Sequence, residues 1–158
     1  MKNLIVYFSI FGSTKKFAEM VHGKVGGDLY ELKPIRPYGT DYKGLMSFSK
    51  KEVDGGILTE FEDLNIDINN YDNIFVGYPM WWYTYPPILK NFFKKYDMTG
   101  KTIIPFNTHE GSGDGGTYQM IRNDLPQAKV VDGLAIRGGA MNEKQRDNVK
   151  KWLESIGF

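Results

Sequence analysis

A doubly wound α/β fold, three layers deep with a parallel sheet between helices, is predicted by three features of the sequence. Short apolar runs at residues 4–8, 73–78 and 102–106 are nearly continuous rather than alternating, as strands covered on both faces require. Helical patterns separate these runs, and strand–helix alternation is the pattern of βαβ units. The 158 residues show no compositional break, repeat, low-complexity tract or linker, so a single domain spanning 1–158 is expected.

Taken along the chain, the run at 4–8 opens the sheet. Residues 14–25 follow as a helix, with Phe17, Ala18, Val21 and Val25 on one face and Lys15, Glu19 and His22 elsewhere. Residues 29–32 and 129–137 are more mixed and suit sheet edges. Pro105 counts against a central strand at 102–106 because it has no N–H to donate, and the strand is kept because the proline falls near its carboxyl end. Pro87 suits a first helical turn, with Ile88, Leu89, Phe92, Phe93 and Tyr96 on one side. A last helix is expected from near Asn142, a cap with Gln145 three residues on, burying Val149, Trp152, Leu153 and Ile156. Residues 42–51 and 117–125 carry weaker helical patterns.

The totals exclude several functions. Lys and Arg number 20 against 19 Asp and Glu, with no long run of one sign, so no nucleic-acid or membrane footprint is expected. No stretch approaches the roughly 20 apolar residues of a membrane span. The opening apolar run is too short for a signal peptide, from which a cytoplasmic location is expected. With no cysteine, disulfides, thiol catalysis and thiolate metal sites are excluded together. Aromatics stand out, at three Trp, ten Tyr and ten Phe, enough for both a core and a wall for a flat ligand.

Ligands of such sheets sit at the carboxyl ends of the strands, where strand order reverses, so the loops after the strands are the places to look. The first, Ser9-Ile10-Phe11-Gly12-Ser13-Thr14, leads into a helix whose unpaired N–H groups and hydroxyls suit a phosphate held by neutral donors, with Lys15 just beyond. The structural alternative is an ordinary Ser/Thr helix cap. It is not a P-loop, since the Gly-Lys-Ser/Thr ending is missing. The second, Pro79-Met80-Trp81-Trp82-Tyr83-Thr84-Tyr85-Pro86, clusters four large aromatics in a turn. Stacking on a planar ring explains that better than core packing does, with a hydrophobic plug or partner interface as the alternative.

The third loop, Thr108-His109-Glu110-Gly111-Ser112-Gly113-Asp114-Gly115-Gly116, contains a formal Gly-x-Gly-x-x-Gly with Asp132 about 20 residues on. It follows the fourth strand rather than the first of a βαβ unit, and glycine-rich loops match the motif by chance, so a dinucleotide fingerprint is not expected. The glycines instead suit a close approach of the backbone to the polar edge of a flat ligand. The chain has two histidines and no matching ligand set, so no metal is expected, and His109 reads as a loop hydrogen-bonding group unless a flat ligand lies against it.

Together the three loops resemble the flavodoxin family over nearly the whole chain. Ser9 to Thr14 resembles its phosphate loop; Pro79-Met80-Trp81-Trp82 resembles the tryptophan-bearing turn of a bacterial branch. Thr108-His109 through Ser112-Gly113 and the final strand ending Gly133-Leu134-Ala135-Ile136-Arg137-Gly138 are similar to that branch as well. The resemblance implies five parallel strands in order 2-1-3-4-5, of the short form, with FMN bound noncovalently at their carboxyl edge. By position, Ser9, Ile10, Phe11, Gly12, Ser13 and Thr14 would hold the phosphate. Pro79, Met80, Trp81, Trp82 and Tyr83 would flank the isoalloxazine. Thr108, His109, Glu110, Gly111, Ser112 and Gly113 would contact its pyrimidine side or other face.

Three departures from the family pattern bear on function. Phe11 stands where a threonine is usual, so one hydroxyl contact is lost. Tyr83 and Tyr85 replace the Gly and Ala usual after the Trp pair, which makes a peptide flip beside the flavin costlier. The chain is near neutral where most flavodoxins are acidic, so it opposes negative charge on the flavin less and is steered less strongly to a basic partner. Three function classes follow. The favoured one is an electron-transfer carrier working between a reductase and an acceptor protein. The alternative is an NAD(P)H-dependent quinone or nitro-compound reductase, with Tyr83, Tyr85 and the connection at 37–63 walling a second flat molecule. The third is a binding module without redox work. No catalytic acid or base is expected in any of them.

Overall fold

In a computed structural model that describes residues 2–36 and 42–158, strands and helices alternate as the sequence pattern requires. The order is β1 (Asn3–Tyr7), α1 (Ser13–Val25), β2 (Asp28–Glu31), α2 (Tyr42–Asp54), β3 (Asn73–Pro79) and α3 (Pro87–Lys95). Then come β4 (Thr102–His109), α4 (Thr117–Asp124), β5 (Lys129–Val130), β6 (Leu134–Arg137) and α5 (Arg146–Ser155). Every strand pair is parallel, in the order β2-β1-β3-β4-β5, with β6 also on β4. Part of the 37–63 connection, residues 37–41, lies outside the described residues. No helix among the described residues is long and apolar enough to cross a membrane.

Alternation along each central strand divides the core into two layers. Leu4, Val6, Ile74, Val76, Tyr78 and Ile103 pack with Ile88, Leu89, Phe92 and Phe93 of α3 and Tyr118 and Ile121 of α4. Ile5, Tyr7, Phe75, Ile104 and Phe106 face the other way, against Phe17, Ala18 and Val21 of α1 and Val149 and Leu153 of α5. The runs read as continuous because both faces of each strand are covered. The α3 helix has Pro87 in its first turn, as its fixed φ and missing donor favour. Asn142 caps a short 3₁₀ turn at 143–145, accepting the Lys144 N–H at 2.9 Å, and α5 itself begins one turn later. Trp152 is half-buried rather than buried.

The expected fifth strand at 129–137 is two strands, and Pro105 accounts for the break. Pro105 lies in the middle of β4, not near its end, and pairs with Val76 of β3. Lys129 and Val131 donate to the carbonyls of Lys101 and Ile103, so in a parallel ladder residue 105 also faces that edge. There the ring has no N–H to offer, and pairing lapses between β5 at Ile103 and β6 at Phe106. The proline is tolerated inside the sheet because its missing donor falls where ladder pairing with the neighbouring chain has lapsed.

Buried phenols make the fold sensitive to alkali. Tyr78 shares a hydrogen bond of 2.6 Å with the Thr117 hydroxyl, Tyr118 donates to Asn107, Tyr85 to Asp124, and Tyr71 to Asp28 at 2.6 Å. Burial first holds all four hydroxyls above their ordinary range, followed by Asp28 at Tyr71, Asp124 at Tyr85 and the Tyr78 phenol at Tyr118. Above about pH 10 the unfolded chain releases phenolic protons that the folded one retains, so stability is full below that pH and falls as pH rises. The midpoint of urea unfolding is expected to hold steady from about pH 7 to 9 and to drop steeply above about 10. A midpoint that does not move across pH 10 contradicts this.

Candidate functional site

The chain reverses direction across the sheet between β1 and β3, and a cleft of about 1120 Å³ opens at the carboxyl ends of β1, β3 and β4. The loops after those three strands build it.

The loop after β1 turns at Gly12, whose φ of 96° is left-handed and suits glycine. Its N–H donates to Ser9 Oγ at 3.2 Å. The hydroxyls of the loop are used inside the protein: Ser13 Oγ donates to the Gly138 carbonyl at 3.2 Å, and Thr14 Oγ1 lies 2.8 Å from Thr108 Oγ1, tying α1 to β4. No side chain caps α1, and its first turn holds no acidic residue. The start of that helix therefore offers N–H donors and the positive end of its dipole beside the cleft, with no negative charge of its own to satisfy them. Ser9, Ile10, Phe11, Ser13 and Thr14 line the cleft and Gly12 does not; it serves the turn instead.

The aromatic turn after β3 divides in two. Trp81 and Thr84 exchange backbone hydrogen bonds of 3.0 and 3.1 Å, leaving Trp82 and Tyr83 as a two-residue turn with φ of 52° and 61°. Such turns ordinarily carry Asn-Gly, because both central residues must be left-handed. Trp81 is 3 % exposed and stacks on Phe8 at 5.5 Å, and Tyr85 is 1 % exposed between Tyr78 and Phe93. The expectation that all four clustered aromatics face a ligand is corrected for Tyr85 alone. Trp81 and Tyr85 belong to the core, Tyr85 does not reach the cleft, and Trp82 and Tyr83 are the ones left exposed at its mouth. Pro79, Met80, Trp81, Trp82 and Tyr83 all line the cleft, Trp81 from within the core. The strained turn carries its own test. Tyr83→Asn, which tolerates the left-handed region, is expected to stabilise the protein by about 0.5–1 kcal/mol in urea unfolding. A loss of stability would show that the Tyr83 ring supplies more than its backbone conformation takes away.

The loop after β4 is held from below by buried polar side chains. Fully buried Asn107 donates to the Gly113 carbonyl at 3.0 Å and accepts from Tyr118, while Thr117 donates to the Asp114 carbonyl at 2.6 Å. The Gly111 N–H donates to His109 Nδ1 at 2.9 Å, which leaves Nε2 as the N–H of the neutral ring. Thr108, His109, Glu110, Gly111 and Ser112 line the cleft; Gly113 faces Asn107 and does not. Glu110 is the one carboxylate among the described lining residues. Asp132 is ion-paired with Arg122 and takes no part.

Two lining residues, Leu45 of α2 and Gly138, were not singled out from the sequence, nor was Ser49, which the Trp82 indole reaches from 33 positions away. Gly138 follows the last strand and could have been read from topology. Leu45 and Ser49 fall in the 37–63 connection expected to wall a ligand in the reductase reading, but its weak helical pattern marked neither residue individually.

The flavodoxin family model matches residues 2–156. A candidate flavoprotein from Bacteroides eggerthii is 30 % identical, with 99 % of this chain and 98 % of that one covered at a TM-score of 0.86. One from Bacteroides uniformis is 28 % identical, covering 97 % of each chain at a TM-score of 0.86. The fold, without closer likeness, is shared with a flavoprotein from Lactobacillus acidophilus solved in complex with FMN, at 23 % identity, 93 % and 97 % coverage and a TM-score of 0.72. On its sheet order, its cleft at the strand reversal and this match along almost its full length, the chain belongs to the flavodoxin family.

Proposed function

We propose that the cleft binds FMN noncovalently and that the protein serves as an electron-transfer carrier between a reductase and an acceptor protein. The observation that carries the reading is the pairing, across one cleft, of an uncapped α1 start with an exposed aromatic turn. The residues present fit the group. The first-turn N–H groups of α1 suit a phosphate, and the absence of a carboxylate in that turn leaves them available to it. Ile10, Leu45, Met80 and Trp82 give the apolar surroundings a flat ring needs. FMN supplies the redox chemistry when bound.

The protein's own contribution is to bind and orient. The Thr14–Thr108 contact keeps the phosphate end in register with β4, and the Asn107 and Thr117 hydrogen bonds hold the 110–116 backbone in place. His109, with Nδ1 occupied by Gly111, offers a donor of fixed position at the cleft wall. Phe11 and Tyr83, 64 % and 76 % exposed, leave the mouth open to a partner protein.

One observation favours a second reading, an NAD(P)H-dependent quinone or nitro-compound reductase. At about 1120 Å³ the cleft lies at the top of the range for small-molecule sites, with room for another flat molecule. The two readings part in one experiment. The FMN-loaded protein, freed of excess flavin and kept anaerobic, is mixed with NADPH or NADH while visible absorbance is followed. A carrier stays yellow until a separate reductase or dithionite is supplied; rapid bleaching by the nucleotide alone overturns the carrier reading.

A further inference from the structure

We infer that α2 is a positioning element for the bound ring, acting through a hydrogen bond between Ser49 and the Trp82 indole. The inference rests on the FMN reading above and adds to it a residue that lies outside the three loops. Trp82 Nε1 donates to Ser49 Oγ at 2.7 Å, and Ser49 is fully buried although Trp82 is 37 % exposed. Leu45, one turn earlier on the same face of α2, lines the cleft itself. Lys50 Nζ lies 5.4 Å from the Trp82 ring centroid and is held there by Asp54 at 3.0 Å. The indole is thus fixed at its edge by Ser49 and covered on one face by Lys50, while the ring also lines the cleft.

With φ at 52°, Trp82 sits where a bulky residue is disfavoured, and its exposed indole is restrained from α2 by Ser49 and Lys50. A ring already held by Ser49 surrenders little rotamer freedom when a flat ligand stacks on it, and that preorganisation appears as affinity. Ser49 therefore acts on the ligand through Trp82, without touching it.

The test uses the full chain and two ligands, FMN and riboflavin, with dissociation constants read from flavin fluorescence. Ser49→Ala is expected to weaken both by about fivefold, the worth of one hydrogen bond, since the effect falls on the ring and not on the phosphate. Ser49→Thr, which keeps the hydroxyl, is expected to restore both to within about twofold. Ser49→Cys, a poorer acceptor of similar size, serves in its place should Ser49→Ala unfold, whereas Trp82→Phe removes the same bond together with part of the stacking ring. The double variant is expected to bind no more weakly than Trp82→Phe alone, because the two changes remove one interaction. If Ser49→Ala lowers thermal stability but leaves both constants unchanged, or loses as much in the Trp82→Phe background as in the wild type, the bond is only structural and the inference fails. Wild-type protein that binds neither flavin overturns the FMN reading itself.

Discussion

Ser13→Asp is expected to abolish FMN retention while leaving the folded protein at least as stable as before. Ser13 is the first residue of α1, in a turn with no side-chain cap and no acidic residue, and it lines the cleft. A carboxylate there complements the helix dipole, worth about 0.3–1 kcal/mol, and offsets the lost hydroxyl contact to Gly138. The same carboxylate stands where the proposed FMN reading puts the phosphate dianion. Two like charges a few ångströms apart near a protein surface repel by on the order of 3 kcal/mol, so FMN is expected to bind about 100-fold more weakly or worse. Riboflavin, which has no phosphate, is expected to change by less than about threefold. Ser13→Asn, of similar shape and neutral, separates the charge from the missing hydroxyl. Equal losses for FMN and riboflavin would place the phosphate elsewhere.

Gly133→Ala is expected to destabilise the fold by about 3 kcal/mol. A Cβ at this position would lie 1.9 Å from the Pro105 carbonyl oxygen and 2.8 Å from the Tyr118 ring. The first of these is backbone in the middle of β4, which cannot yield without parting the sheet from β6 or β3. Glycine is needed because the chain still runs against the Pro105 carbonyl of β4 although ladder pairing has lapsed there. A loss of that size corresponds to a fall of about 10 °C in Tm for a chain of this length. Gly23→Ala is the control: it lies inside α1 with nothing within 4 Å of the added carbon, and a gain of about 0.5–1 kcal/mol is expected. If Gly133→Ala behaves like the control, the Pro105 backbone yields to the added carbon and the glycine is not required there.

These two positions also mark where the sequence was and was not legible. The three central strands could be read because burial on both faces leaves an unbroken apolar run, a property of each strand taken alone. The break between β5 and β6 could not, since it depends on a missing donor in a neighbouring strand. The loop before α1 was legible as a helix start that faces the cleft, because helix starts have a local chemistry of their own. The aromatic turn was legible as a place but not in its parts. Left-handed conformations at Trp82 and Tyr83 break the strand alternation, sending Trp81 and Tyr85 into the core and the other two to the surface. Ser49 and Leu45 were covered only by the expectation that the whole 37–63 connection walls the site, because which residues of α2 reach the cleft depends on the fold.

The measurement that bears most directly on the FMN reading is flavin retention. The purified chain is incubated with FMN, excess flavin is removed by gel filtration, and the visible spectrum and tryptophan fluorescence of the protein fraction are recorded. Near-stoichiometric yellow protein with quenched tryptophan emission is expected, since Trp82 lines the cleft. A colourless protein fraction, with emission unchanged by added FMN, would contradict the assignment of this cleft to FMN.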